Sequence, residues 1–278
     1  MTKTIIAMWS GPRNLSTAMM RSFESRKDTE VLDEPFYAHY LSATELDHPG
    51  KEAILDSQSI NWNDVASKCV DKNFSKRSIW YQKHMAQHNL TGFEINWIKD
   101  VQNCLLIRDP RSVIASYGKK FPITDERLLG YVQQAEIIDF LEDCNRETPP
   151  IIDADDILKN PESMLRELCK TLGIDFYSSM LSWQKGPRDS DGIWGPYWYD
   201  GVYQSTGFKP YIDNKIELDP DIMRIYENCK KYYDDFHKKR RYFKLQMDFL
   251  CMFWAVSYTH LRAHETKANL VCRLLLEK

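Results

Sequence analysis

No stretch of this 278-residue chain approaches the ~20 consecutive apolar residues of a transmembrane helix. That argues against a helical membrane protein. Positive charge is not in excess either. The formal net charge is −3, without the basic footprint that nucleic-acid binders carry. The seven cysteines are odd in number and lack C-x-x-C or Cys/His zinc spacing. They read as reduced thiols of a cytoplasmic protein, not as a disulfide frame. The apolar run at residues 5–9 is too short for a secretory signal and has no cleavage site. No grouping of carboxylates with His or Cys suggests a metal, and no internal repeat is visible.

What is present is alternation. The chain is 43% hydrophobic, enough for a sizeable core in one large domain. Strands are expected near residues 4–9, 30–32, 79–84, 103–107 and 150–152. Helices are expected near 15–25, 111–119, 124–144, 161–172 and 221–233. The stretch 41–78 reads as loop with helical pieces around 63–70. Asn160, Pro161 and Gly173 bracket the clearest helix with a cap, a first-turn proline and a stop. Such alternation predicts a three-layer α/β/α domain with a mainly parallel sheet. Ligands of such sheets bind outside the carboxyl ends of the strands.

Two segments suit anions. In Ser10-Gly11-Pro12-Arg13-Asn14-Leu15-Ser16-Thr17 an apolar strand turns directly into a helix. That geometry aims backbone N–H groups and a helix N-terminus at one point. Arg13 adds charge, and Ser16 and Thr17 add hydroxyls. The Gly-Lys pair of an ordinary nucleotide-triphosphate loop is missing. In Arg108-Asp109-Pro110-Arg111, followed by Ser116, a second strand ends on an arginine. Alone, that segment reads as a surface arginine beside a helix cap.

Together the two segments resemble the sulfotransferases that use 3′-phosphoadenosine 5′-phosphosulfate (PAPS). The resemblance implies that Pro12-Arg13 through Thr17 hold the 5′-phosphosulfate and that Arg108 and Ser116 hold the 3′-phosphate. A weaker match covers residues 153–173. The fold so implied is the P-loop-like α/β/α fold of the family's soluble branch, with PAPS as co-substrate and no metal. The motifs run in order over roughly residues 1–240.

Transfer to an acceptor hydroxyl needs a base. His84 closes the third strand, and Glu34 follows the second. Imidazole is matched to proton transfer near neutrality, whereas a carboxylate needs burial to raise its pKa. His84 is therefore preferred, Glu34 comes second and His39 third. Lys83 adjoins His84, so strand alternation sends the two to opposite faces. That puts in doubt the Lys role that the family's Lys-x-His pattern implies. Arg13 would act on the transferring group by charge, not as an acid.

Residues 182–211 are rich in aromatics and glycine. Lys185-Gly186-Pro187-Arg188 with Gly192-Ile193-Trp194 loosely resembles the family's lid over the 3′-phosphate. The rings also suit adenine stacking or an acceptor pocket. Residues 1–242 are taken as the sulfotransferase-like domain. Residues 243–278 are taken as an atypical, non-native tail, because 256–278 look like a translated sequencing adapter. Three functions stand open: sulfuryl transfer from PAPS to a hydroxyl or amine of a small molecule, a small-molecule or nucleotide kinase, and a non-catalytic nucleotide binder.

Overall fold

The apolar run near the start of the chain becomes the middle strand of a five-stranded parallel sheet. The computed structural model describes residues 3–213 and 215–240. In chain order its elements are β1 (Thr4–Ser10), α1 (Ser16–Glu24), β2 (Thr29–Asp33), α2 (Tyr37–Thr44), α3 (Lys51–Ser57), α4 (Trp62–Val70), β3 (Ile79–Met85), β4 (Gln102–Ile107), α5 (Pro110–Tyr117), α6 (Tyr131–Asp143), β5 (Ile151–Asp153), α7 (Ala154–Lys159), α8 (Pro161–Thr171), the short α9 (Gly195–Trp198) and α10 (Asp200–Tyr203), and α11 (Met223–Lys239). The sheet order is β2-β3-β1-β4-β5, and every pairing is parallel. All five carboxyl ends therefore share one rim.

The pleat sorts the side chains. On one face Ala7, Trp9, Leu105, Ile107 and Ile151 pack with residues of α4, α5, α6 and α11. On the other, Phe23 of α1 stacks on Tyr81 of β3, with ring centroids 4.2 Å apart. Helices thus cover both faces, as the alternation predicts. Parallel register sets Met8 beside Lys83 and Trp9 beside His84. Because the side-chain period is two, Lys83 falls on the α1 face and His84 on the other.

The expected helix over 124–144 is broken. A 3-10 turn, Glu126–Leu129, ends at Gly130 with φ 81°, and α6 begins at Tyr131. The reason is close approach. A Cβ on Gly11 would lie 2.2 Å from the Leu129 carbonyl oxygen, and one on Gly130 would lie 3.1 Å from the Gly11 Cα. Two glycines let the turn before α6 press onto the β1–α1 loop. In the stretch 41–78, the helical piece expected around 63–70 is α4, while the end of α2 and the whole of α3 stand where loop was expected. The short helix α7, capped by the Asp153 side chain on the Asp155 N–H at 2.8 Å, has no counterpart among the expected helices. Residues 243–278 lie outside the described residues. Among the described residues no helix is long and apolar enough to cross a membrane.

Candidate functional site

β1 stops at Ser10 and α1 starts at Ser16, so five residues make the turn. Two of them, Arg13 at φ 61° and Leu15 at φ 68°, occupy the left-handed region although neither is glycine. Such residues cost of order 1 kcal/mol or more each and persist where the surroundings over-determine them. The twist turns Arg13 across the rim. Its Nε donates to Ser116 Oγ at 2.9 Å and one Nη donates to the Trp198 carbonyl at 3.2 Å. Arg108, at the end of β4, donates to the Arg13 carbonyl at 3.1 Å and lies 3.4 Å from the Asp155 carboxylate. Burial, and next the charge of Arg108, push the Arg13 pKa down, with Asp200 opposing. Two guanidiniums so close favour an anion between them.

A cavity of about 440 Å³ opens here. Pro12, Arg13, Leu15, Ser16, Thr17, Arg108 and Ser116 all line it. The structure therefore brings most of the expected anion site into one place. Gly11 and Asn14 are not in the lining. Gly11 makes the close approach to Leu129, and the buried Asn14 amide donates to the Leu106 carbonyl at 3.3 Å. Lys185 and Arg188 are not in the lining either. The Arg188 N–H donates to Asp191 at 2.8 Å, and Asp191 is held by the buried Arg21 at 2.6 Å. Buried charge on Arg21 ties that segment to α1. The cavity wall comes from farther along, from Trp198, Tyr199 and the stretch 207–212.

The other end of the cavity centres on Lys83. Its ammonium is buried, and its three donors go to Asp33 at 2.9 Å, Tyr199 at 2.7 Å and Glu34. Burial works against the charge, but the two carboxylates outweigh it and raise the Lys83 pKa. Glu34 also has a positive φ, 40°, at the end of β2. Burial raises its pKa, with Lys83 opposing and Asp33 assisting. Its contacts with Lys83 and Tyr199 run through Oε1 alone. Glu34 and Lys83 both line the cavity; Asp33 stands behind them.

His84 is elsewhere. It stacks on Trp9 with centroids 4.3 Å apart, lies near Phe36 and Trp97, and meets the Gln82 side chain at 3.0 Å. Burial, with Lys83 adding, lowers its pKa to about 3. The expectation that His84 faces the acceptor is corrected: pairing with Trp9 turns it into the core. His39 is likewise outside the lining, donating Nδ1–H to the Ile60 carbonyl at 2.9 Å. Among the cavity residues that went unnoticed in the sequence are His48, Gln87 and His88. Only the run Gln87-His88, just past β3 on the binding rim, offered a signal.

The chain matches the sequence pattern of the sulfotransferase domain over residues 3–241. Two Arabidopsis thaliana proteins, branched-chain-amino-acid aminotransferase-like proteins 1 and 2, are 40% and 39% identical over 207 residues, 73% of this chain. The chain spans only 36% of their length. Among solved structures, the sulfotransferase domain of the Synechococcus PCC 7002 olefin synthase aligns over 82% of this chain and 95% of its own. Its TM-score is 0.50 at 16% identity, a likeness of fold. With a parallel α/β/α sheet of this P-loop-like kind and a pattern match over nearly all the described residues, the chain belongs to the sulfotransferase domain family.

Proposed function

We propose that this domain moves a sulfuryl group from PAPS to a hydroxyl, or an amine, of a small-molecule acceptor. The observation that carries the reading is one cavity with two unlike ends. Arg13, Arg108 and Ser116 form a cationic end, and Glu34 with Lys83 forms a buried carboxylate end. The strained loop fits a phosphosulfate, since Arg13, Leu15, Ser16 and Thr17 line the cavity at a strand-to-helix turn, a geometry that suits anions. Arg108 and Ser116 suit the 3′-phosphate, and Phe208 and Tyr211 suit adenine.

Glu34, in place of His84, takes the acceptor proton. A buried carboxylate of raised pKa beside the acceptor end is a competent base. As the acceptor oxygen bonds to sulfur, the bond from sulfur to the bridging phosphate oxygen breaks. Its electron pair leaves on that oxygen, where Arg13 meets the growing charge by its fixed guanidinium. Lys83 holds Glu34 and Asp33 in place. No metal takes part in this reading. The five described cysteines are unpaired thiols, which suits a reducing compartment such as the cytoplasm.

Calorimetry with adenosine 3′,5′-bisphosphate, with and without EDTA, against ATP–Mg²⁺ tests the reading. Metal-independent binding of the bisphosphate is expected. Preference for ATP–Mg²⁺ would promote the kinase alternative. Arg108→Ala should weaken bisphosphate binding by roughly 2–4 kcal/mol and leave the analogue without the 3′-phosphate almost untouched. Bisphosphate binding without transfer to any acceptor class would leave a nucleotide-binding protein that lacks the chemistry.

A further inference from the structure

The acceptor end of the cavity has a chemistry of its own. His88 is sandwiched between Tyr37 and Tyr40, with centroids 4.9 and 4.6 Å away, and its buried Nδ1 has no partner among the described residues. His48 meets the Tyr37 hydroxyl at 2.7 Å through Nδ1, and its buried Nε2 has none. The Gln87 amide lines the same space, and its buried Oε1 has no partner either. Buried polar atoms in native proteins are almost always hydrogen-bonded. The three side chains all line one cavity, where a ligand meets two imidazoles and an amide.

Their kind narrows that ligand. Burial lowers the His48 pKa to about 4, and the His88 pKa goes well below normal through burial and then the charges of its neighbours. Both are neutral imidazoles at physiological pH, each with one donor and one acceptor nitrogen. The amide likewise offers both. A hydroxyl also donates and accepts, so several hydroxyls on one molecule complement all three. A phenol has one hydroxyl and an alkyl chain none. Negative acceptors are disfavoured. Among the described residues the cation at this end is Lys83, with all three donors engaged, and Glu34 lines the same space. The walls are Tyr37, Tyr117 and Trp198, with the last two stacked at 16°. Such flat faces cover the C–H side of a ring. About 440 Å³ shared with a nucleotide leaves room for a small molecule only.

We infer that the acceptor is a small, neutral polyhydroxylated ring, a monosaccharide or cyclitol, held by His48, Gln87 and His88 over an aromatic floor. This rests on the sulfotransferase reading above. Labelled PAPS is offered to the whole chain with a panel of neutral hexosides and inositols, glucuronate, phenol and octanol at equal concentration. Transfer to at least one neutral polyol is expected, with glucuronate, phenol and octanol each at least tenfold poorer. His88→Phe keeps the stack between the tyrosines but removes the polar atoms. It should raise KM for that polyol about tenfold while kcat and bisphosphate affinity hold, and His88→Gln should recover much of the loss. Preferred transfer to phenol, octanol or glucuronate overturns the assignment. So does a His88→Phe KM equal to wild type. Failure to bind bisphosphate, or binding with transfer to no acceptor at all, sinks the sulfotransferase reading itself, and the two failures are thereby told apart.

Discussion

Tyr199 has one proton and four polar neighbours. Lys83 and the Trp194 indole N–H both donate to its oxygen, at 2.7 and 2.9 Å, so its own O–H is free for Asp33 at 2.7 Å. Glu34 Oε1, 3.2 Å away, is the neighbour left without that proton. The arrangement leaves the Glu34 carboxylate with one strong partner, Lys83, while burial raises its pKa against that partner. On that ground Glu34→Gln should lower kcat by about 10²–10⁴-fold at unchanged bisphosphate affinity, measured by single-turnover transfer. His84→Phe should stay within a few-fold of wild type, because the side chain touches Trp9 and not the cavity. A dead His84→Phe beside an active Glu34→Gln would restore the histidine. The same residue predicts a stability profile. His84 and His48 have native pKa values of about 3 and 4 against 6.5 unfolded. Below about 6.5 the unfolded chain takes protons that these native imidazoles refuse, so stability falls with pH down toward those values. Asp153, raised to about 6 by burial, opposes the trend between about 6 and its unfolded 3.8. Melting temperature from pH 7 to 4 should therefore drop less steeply in His84→Phe than in wild type. Equal slopes would show that His84 is not a buried neutral group.

At the scale of the element, the β1–α1 turn is where strain and contact meet. Leu15 caps α1 from the left-handed region with no side-chain hydrogen bond. Leu15→Gly should relieve of order 1 kcal/mol of strain, less the lost packing, and so leave stability near wild type. Gly11→Ala is the opposite case. Its methyl would meet the Leu129 carbonyl at 2.2 Å, so either the turn or the loop must move. Overpacking of this sort costs about 1–3 kcal/mol, and bisphosphate affinity should fall with it. Urea titration and calorimetry read both effects, and an unperturbed Gly11→Ala would mean that the loop is not clamped. The strands were legible because apolar runs ending in Gly-Pro or Arg-Asp-Pro punctuate the sequence. The helix break at Gly130 was not, because its cause is Gly11, far away in sequence. Alternation separated Lys83 from His84 correctly, but which face met the cavity depended on the β1 partners Met8 and Trp9. His48 was illegible for a like reason, since it reaches the cavity only through the packing of α2 and α3.

Across the whole molecule, the pattern match ends at residue 241 and α11 at Lys239. A chain ending at Tyr242 should keep its melting temperature and bisphosphate affinity and gain solubility, by losing the apolar run at 249–255. A loss of several degrees would show that the removed residues pack natively. Both ends of the cavity, meanwhile, answer to one peptide bond. The Trp198 carbonyl accepts from Arg13, and the next residue sets its hydroxyl among Asp33, Lys83 and Glu34. An anion that draws Arg13 off that carbonyl changes the footing of Tyr199, and so of the base. On the proposed reaction, nucleotide and acceptor are then energetically linked: each alters the affinity of the other by the same factor, whichever arrives first. That linkage is held in two adjacent residues, Trp198 and Tyr199.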